Sequence, residues 1–247
     1  MTEAALPADA RRSPRRRRRV YRHSVVTRVT HWINVLALTL LLMSGLQILN
    51  AHPALYWGQF GANTDPHWLA FPGGVPSWAT IPHYQDLATG RRWHFFFAWV
   101  FVINGLVYLG VGLVNGHLRR DIAPAKAELT ARHLLADIGD HLRLNLPRTA
   151  HYNTLQKLSY LAVIAVLLPM MVLTGLTMSP GFNAFAPVLL DLFGGRQSAR
   201  SLHFICANLV VLFVVVHVIM VFVAGAVNEI RSMITGRYEI DDEEAAP

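Results

Sequence analysis

Residues 201–228 read SLHFICANLVVLFVVVHVIMVFVAGAVN and carry no charged side chain. An apolar run of this length is long enough to cross a lipid bilayer as an α-helix. Two histidines lie in the run, His203 and His217, separated by 14 positions. At about 100° and 1.5 Å per residue, that spacing puts both imidazoles on one face of the helix, roughly 21 Å apart along its axis. Polar groups inside a bilayer are costly and mark function, and imidazole is a common axial ligand of haem iron.

The whole chain has the composition of an integral membrane protein. It is 53% hydrophobic and only 15% charged, whereas soluble domains average about 25% charged residues. Its net charge of +7 is concentrated beside apolar runs, which favours membrane topology over nucleic-acid binding. Cys206 is the single cysteine, so the sequence excludes an internal disulfide and a CxxCH motif for covalent haem attachment.

Three further apolar runs complete an all-α fold, a bundle of four transmembrane helices. The predicted spans cover residues 30–49, 93–114, 155–178 and 201–228, within a membrane domain of residues 30–230. A basic arm, residues 1–29, precedes this domain, and a tail, residues 231–247, follows it. Lys and Arg number nine in the arm, seven in the loop between spans two and three with its flank, and two in each of the other loops. The positive-inside rule therefore predicts four spans with both termini in the cytoplasm.

Two of the loops are expected to have structure of their own. Residues 50–92 are rich in Pro, Gly and Trp, which predicts a folded cap rather than a disordered loop. Apolar residues recur at three- and four-residue spacing from Ala127 to Leu142, a pattern typical of an amphipathic helix at the membrane surface. Beside it, His133, His141 and His151 have no partners at metal-ligand spacing and are expected to be solvated.

Two more histidines lie at the ends of spans. His31 is in the first turn of span one, and His94 is in the first turn of span two. Because successive spans run in opposite directions, His94 and His203 share the outer side, and His31 and His217 share the inner side. A pairing of His31 with His203 would have to cross most of the bilayer. The pattern therefore predicts two bis-histidine b haems, one between each pair, stacked across the membrane.

Other interpretations of these residues remain open. A histidine at a span end can be an interfacial polar residue, so the alternative of a haem-free anchor or transporter stands. A zinc or copper site is disfavoured, because those ions need ligands gathered around one point. Arg28 on the inner side, and Arg91, Arg92 or Arg200 on the outer side, could pair with haem propionates, or could simply end their spans.

Three segments resemble a known family. These segments are RVTHWINVLALTLLLMSG, RRWHFFFAWVF and SLHFICANLVVLFVVVHVIM. They make the chain similar to the cytochrome b subunits of respiratory formate dehydrogenases and nickel–iron hydrogenases, within the bacterial cytochrome b561 group. The 14-residue histidine spacing and the segment RSMITGRY also resemble theirs. The segments GRRWHFFFAWVF and GGRQSAR are similar to those of cytochromes paired with periplasmic molybdopterin oxidoreductases of the sulfite-oxidase type.

The resemblance extends to a quinone site. The segment HYNTLQK, residues 151–157, is similar to the loop where quinone binds beside the inner haem in that family. By that match, Asn153 and Gln156 would face the quinone head group. The residues themselves leave another interpretation open, in which Asn153 caps the helix of span three.

These expectations converge on electron transfer through the membrane. The resemblance implies a lipid-embedded subunit that passes electrons one at a time between a periplasmic redox partner and mobile quinone. The outer haem would exchange electrons with the partner and the inner haem with quinone. The sequence shows no evident catalytic nucleophile, phosphate loop or acid–base pair, which favours a subunit of an oxidoreductase complex over a complete enzyme. The alternative that keeps the haems is a self-contained oxidase acting on quinol or superoxide.

Overall fold

A computed structural model describes residues 17–62, 64–143 and 152–241 of the chain. The helices and strands are β1 (Arg17–Tyr21), α1 (Val25–Ala51), β2 (Ala54–Leu55), β3 (Leu69–Ala70), α2 (Leu87–Val114), α3 (Ala131–Leu142), α4 (Thr154–Ala162), α5 (Leu168–Met178), α6 (Pro180–Phe185), α7 (Val188–Leu192), α8 (Arg196–Thr235) and β4 (Arg237–Asp241). Short 3₁₀ segments lie at Ser77–Ala79 and Lys126–Leu129, and π-helical segments at Leu118–Ile122 and Val163–Leu167. The first part of the basic arm and the last residues of the acidic tail lie outside the described residues.

Four helices are long and apolar enough to cross a bilayer, which confirms the predicted fold class. They are α1, α2, the run Thr154–Met178 and α8. Helices α1, α2 and α8 begin five or six residues before the predicted spans, and polar side chains cap the first two of them. The Ser24 hydroxyl accepts a hydrogen bond from the Thr27 amide at 3.1 Å, and the Asp86 carboxylate accepts one from the Thr89 amide at 3.0 Å. Such caps satisfy the first free amides of a helix.

The third membrane helix is distorted beside Pro169. Proline lacks the amide that would bond to the carbonyl one turn earlier, and its ring crowds that turn. The chain accommodates it with the π-helical segment Val163–Leu167, after which α5 begins at Leu168. The distortion therefore lies in the turn before the proline, where the hydrogen bond is missing.

The four membrane helices pack as two pairs. Helix α1 lies along α2, and α5 lies along α8, with far less contact between the two pairs. Within the first pair, Ala37, Phe97 and Phe101 form a small buried cluster. Many other apolar side chains of the membrane helices face outwards, as expected for a bundle surrounded by lipid. Direct packing thus fixes each pair, and other contacts must hold the two pairs together.

Both ends of the described chain meet at one end of the bundle. Strand β1 pairs with β4 in antiparallel register, and the Arg19 guanidinium donates to the Glu239 carboxylate at 3.0 Å. The Arg22 guanidinium lies over the rings of Tyr152 and Tyr238, 4.9 and 4.4 Å from their centres. We call β1, β4 and residues 22–23 the clasp. The sequence analysis predicts no strand here, because the two strands are at opposite ends of the chain.

The loop between α1 and α2 is folded, as predicted, and it covers the opposite end of the bundle. We call residues 53–62 and 64–80 the cap. The Gly58 amide donates to the Ser198 hydroxyl at 2.7 Å. The Ser201 hydroxyl donates to the Tyr56 carbonyl at 2.6 Å and accepts from the Trp68 indole at 2.9 Å. The cap is therefore fastened to the first turns of α8.

The polar loop between α2 and α4 contains α3, which exposes much of its apolar face, as expected for a helix at the membrane surface. The expectation that its histidines are solvated is confirmed for His133, which is exposed, whereas His141 is half-buried. His133 is exposed, but its Nε2 lies 2.9 Å from the Thr154 hydroxyl. His141 Nδ1 donates to the Asp137 carbonyl at 2.7 Å. The third histidine of that prediction, His151, lies outside the described residues.

Gly195 allows the cap to pack against the start of α8. Its φ is 106°, and a Cβ at this position would come within 2.6 Å of the Gly58 carbonyl oxygen. We expect Gly195→Ala to loosen the cap and to lower the free energy of unfolding by about 1–3 kcal/mol. The measurements are the thermal unfolding midpoint and the rate at which a protease cuts the cap. Gly73→Ala is the matched control, because a Cβ there meets nothing within 4 Å; equal effects of the two variants would contradict this packing.

The clasp also predicts a pH dependence of stability. His23 is 6% exposed, and burial, together with the Arg22 guanidinium, lowers its pKa to about 4. In the unfolded chain its pKa is about 6.5, so the unfolded state takes up the proton first as the pH falls. We therefore expect His23 to cost no stability above pH 6.5 and up to about 3 kcal/mol as the pH falls from about 6.5 to about 4. Thermal unfolding at pH 7 and pH 5 measures this cost, and His23→Gln should reduce the pH dependence; an unchanged dependence would refute the assignment.

Candidate haem sites

The four membrane histidines form two pairs. The ring centres of His94 on α2 and His203 on α8 are 6.2 Å apart, and those of His31 on α1 and His217 on α8 are 6.4 Å apart. Two imidazoles that bind one metal ion from opposite sides, through bonds of about 2 Å, have ring centres roughly 6.4 Å apart. Each pair therefore has the separation that a single bis-histidine iron requires.

The two pairs lie at opposite ends of the bundle and join its two helix pairs. His94 and His203 are near the cap, which is fastened to Ser198 and Ser201 on α8. The other pair lies nearer the clasp, since α1 begins directly after β1. In both pairs, one histidine lies on a helix of the α1–α2 unit and the other lies on α8. A metal ion bound by each pair would therefore link the two helix pairs, which pack directly against each other only sparingly.

Each imidazole near the cap has its Nδ1 atom held by a hydroxyl group. Ser44 Oγ lies 3.1 Å from His94 Nδ1, and Thr174 Oγ1 lies 2.9 Å from His203 Nδ1. Both hydroxyls also donate, at 2.6 Å, to the main-chain carbonyl four residues earlier in their own helix. Since each hydroxyl proton is used there, the hydroxyl accepts from an imidazole that is protonated at Nδ1. That tautomer leaves Nε2 free to bind a metal.

A glycine follows each of these hydroxyl residues and lies against the imidazole. A Cβ at Gly45 would stand 3.5 Å from His94 Cε1, and a Cβ at Gly175 would stand 3.6 Å from His203 Cε1. Residues 44–46 read SGL and residues 174–176 read TGL, so the same local arrangement occurs on α1 and on α5. The sequence analysis did not identify these residues, although the repeated hydroxyl–glycine–leucine triplet in two spans was a visible signal.

The pair near the clasp has different surroundings. His31 Nδ1 is buried and has no hydrogen-bond partner among the residues that the structure describes. The His217 ring stacks on Phe213 with centres 5.8 Å apart. From Phe213, edge-on ring contacts continue to Tyr160 at 6.3 Å and from there to Tyr152 at 5.4 Å. On the side of α4, this pair is therefore packed by aromatic rings, of which Phe213 stacks on an imidazole.

Two of the arginines considered for haem propionates bind the protein itself. The Arg200 guanidinium donates to the carbonyls of His52 and Ala54, which ties α8 to the residues that lead into the cap. The Arg28 guanidinium donates to the Ile234 carbonyl, which ties the start of α1 to the end of α8. These contacts give both residues a structural role at the ends of their helices.

The other two arginines lie at the start of α2 and are exposed. Arg92 donates to the Thr89 hydroxyl at 3.1 Å, and the Arg91 guanidinium lies 5.5 Å from the centre of the Phe95 ring. Neither contact is buried or charge-paired. Arg91 and Arg92 thus remain the arginines near the cap whose guanidinium groups are most accessible to an anionic group.

Asn153 and Gln156 cap α4, as the alternative interpretation expects. Asn153 Oδ1 accepts from the Gln156 amide at 2.9 Å, and Gln156 Oε1 accepts from the Asn153 amide at 3.3 Å. This reciprocal arrangement is a capping box. Among the described residues, the Asn153 Nδ2 group makes one long contact, 3.4 Å, with His141 Nε2. A contact with quinone stays a prediction, and Nδ2 is the group that could make it.

Comparison with known proteins agrees with these features. A family model described as prokaryotic cytochrome b561 matches residues 22–236, a range that contains all four membrane helices and all four paired histidines. The chain is also 35% identical over 201 residues to a protein of Azospira oryzae that is named as the YedZ1 subunit of a protein-methionine-sulfoxide reductase. That match covers 81% of this chain and 89% of the relative. The chain therefore belongs to the prokaryotic cytochrome b561 family, multi-pass proteins of the bacterial inner membrane that bind b-type haem and transfer electrons.

Proposed function

We propose that this chain is the cytochrome b subunit of an oxidoreductase complex and passes electrons between a periplasmic redox partner and the quinone pool through two b haems. The observation that carries the proposal is the pair of ring separations, 6.2 Å and 6.4 Å, each suited to one bis-histidine iron. His94 and His203 would hold the haem near the cap. His31 and His217 would hold the haem near the clasp.

The side chains of this protein bind, orient and shield the two haems. Bound haem supplies one-electron redox chemistry at its iron. The hydroxyls of Ser44 and Thr174 fix the tautomers of the ligands near the cap. The two ligands on α8 are 14 positions apart, which is roughly 21 Å along the helix axis. Two haems at this spacing would replace one long electron transfer across the membrane by shorter ones.

The distribution of charge supports one orientation in the membrane. Nine Lys and Arg residues precede the first predicted span, and seven lie in the loop between the second and third spans with its flank. By the positive-inside rule, the clasp end would face the cytoplasm and the cap end the periplasm. In the clasp, β1 pairs with β4, so both ends of the described chain lie on the same side of the membrane. Four spans, an even number, require the same arrangement.

The redox partner is proposed to be a periplasmic molybdopterin oxidoreductase that docks on the cap. The segments GRRWHFFFAWVF and GGRQSAR resemble those of cytochromes with such partners, and the relative from Azospira oryzae is named as a reductase subunit. The cap offers a folded surface directly above His203. Its Trp57 and Trp68 rings stack with centres 5.6 Å apart, and Trp57 is 52% exposed. Exposed aromatic side chains of this kind are common at protein interfaces.

The ligand assignment predicts which haem each histidine variant loses. We expect two haems per chain in the wild-type protein. His94→Ala or His203→Ala should remove the haem near the cap only, and His31→Ala or His217→Ala the haem near the clasp only, because each iron loses an axial ligand. The measurements are haem per chain and the reduced-minus-oxidised spectrum, with the surface variant His133→Ala as the control.

Two outcomes would refute this assignment at different levels. A His94→Ala variant that keeps two haems of unchanged potential would contradict the pairing. Reduced wild-type protein without a b-type absorbance band would contradict haem binding itself.

The quinone assignment can be separated from the capping role of Asn153. Asn153→Ser keeps a side-chain oxygen that caps α4 but removes the amide that could donate to a quinone oxygen. We expect about tenfold slower electron exchange with quinone, the effect of losing roughly 1.4 kcal/mol of binding in the transition state, with haem content unchanged. Asp86→Ser, which alters the cap of α2 at the other end of the bundle, is the matched control. An unchanged rate in Asn153→Ser would remove the residue from the quinone site.

A further inference from the structure

We infer that Ser44 and Thr174 are positioning residues that hold the midpoint potential of the haem near the cap below that of the haem near the clasp. The inference rests on the proposed function, because it requires one haem between His94 and His203 and another between His31 and His217. It assigns a role to two hydroxyl groups that are not themselves among the proposed iron ligands.

The two hydroxyls occupy matching places on opposite sides of one ligand pair. Ser44 reaches His94 from the neighbouring helix α1, and Thr174 reaches His203 from the neighbouring helix α5. Both residues are completely buried. Each hydroxyl is oriented by its own helix, since it donates to the carbonyl four residues earlier at 2.6 Å. Its lone pairs are therefore directed towards the imidazole before any metal is bound.

Such hydrogen bonds change the ligand strength of the imidazole. When Nδ1–H donates to an acceptor, electron density moves towards Nε2, and the ring becomes a stronger donor to a metal. Stronger donation stabilises the ferric state more than the ferrous state, which lowers the reduction potential. Both axial ligands of the same iron would carry this bond, so the two effects act in the same direction.

The pair near the clasp lacks this arrangement. His31 Nδ1 is buried without a hydrogen-bond partner. The His217 ring packs on Phe213, and among the described residues no hydrogen bond reaches the ring nitrogens of either histidine. These imidazoles are therefore weaker donors than the pair near the cap. With haem bound at both pairs, this difference in ligand strength would give the haem near the clasp the higher reduction potential, so it would be reduced first.

The ordering of the two potentials can be measured with ligand variants. The full chain is titrated potentiometrically in detergent with added lipid, and the two absorbance components are fitted. The component that survives in His94→Ala should have the higher of the two wild-type potentials. The component that survives in His31→Ala should have the lower one. The reverse order would overturn the inference, whereas wild-type protein with fewer than two haems would instead overturn the proposed function.

The cause of the ordering is tested by removing the hydroxyls. Ser44→Ala and Thr174→Val should each raise the midpoint potential of the haem near the cap, and the double variant should raise it further. The potential of the other haem and the content of two haems should not change. Thr174→Ser, which keeps a hydroxyl, should restore the wild-type potential. Thr39→Val is the matched control, because the Thr39 hydroxyl also bonds to its own helix, at 2.7 Å, but contacts no histidine.

The result is decisive even if one variant loses its haem. Should Thr174→Val fail to bind the haem near the cap, the comparison of Ser44→Ala with Thr174→Ser remains. A higher potential in Ser44→Ala, with an unchanged potential in Thr174→Ser, supports the inference. Two haems with wild-type potentials in Ser44→Ala would overturn it and leave the haem assignment intact.

Discussion

Four imidazoles placed inside a bundle that lipid surrounds are the constraint on which the structure depends. An imidazole in the hydrocarbon region is costly unless its nitrogen atoms find partners. The structure brings the rings together in twos, with centres 6.2 Å and 6.4 Å apart, so that a metal ion bound between each two rings would give their nitrogen atoms a partner. Helix α8 contributes one ring to each pair because 14 residues are close to four helical turns. Since the α1–α2 and α5–α8 units touch each other sparingly, a metal bound at each pair would also fasten the two halves of the bundle.

The two ends of the bundle are organised to support these pairs in different ways. The cap is fastened to the first turns of α8, within a few residues of His203, through Ser198 and Ser201. The clasp joins the start of α1 to the end of α8 through strand pairing and through Arg28, which donates to the Ile234 carbonyl. Each end therefore holds one ligand-bearing helix relative to another. Hydroxyl groups bond to the imidazoles near the cap, whereas the Phe213 ring stacks on His217 near the clasp, so the two sites differ chemically.

The sequence predicted those parts that local patterns encode, and it missed those that depend on distant contacts. Apolar runs located the four membrane helices, and the depths of His31, His94, His203 and His217 predicted which rings lie close together. The strand pairing of the clasp was not predicted, because β1 and β4 are short strands at opposite ends of the chain. The role of Ser44 and Thr174 was not predicted, because a hydroxyl in a membrane helix ordinarily bonds to its own helix. Only their tertiary contact with an imidazole distinguishes these two residues from other serines and threonines. The charge of Arg200 did not predict that its guanidinium donates to the main-chain carbonyls of His52 and Ala54.

The most direct test is to locate iron in crystals of the purified full chain by anomalous scattering at the iron edge. The paired histidines predict two iron positions per chain, one between the His94 and His203 rings and one between the His31 and His217 rings, separated along α8 by roughly 21 Å. A single iron position, or iron bound away from either pair, would contradict the assignment of these four histidines as ligands.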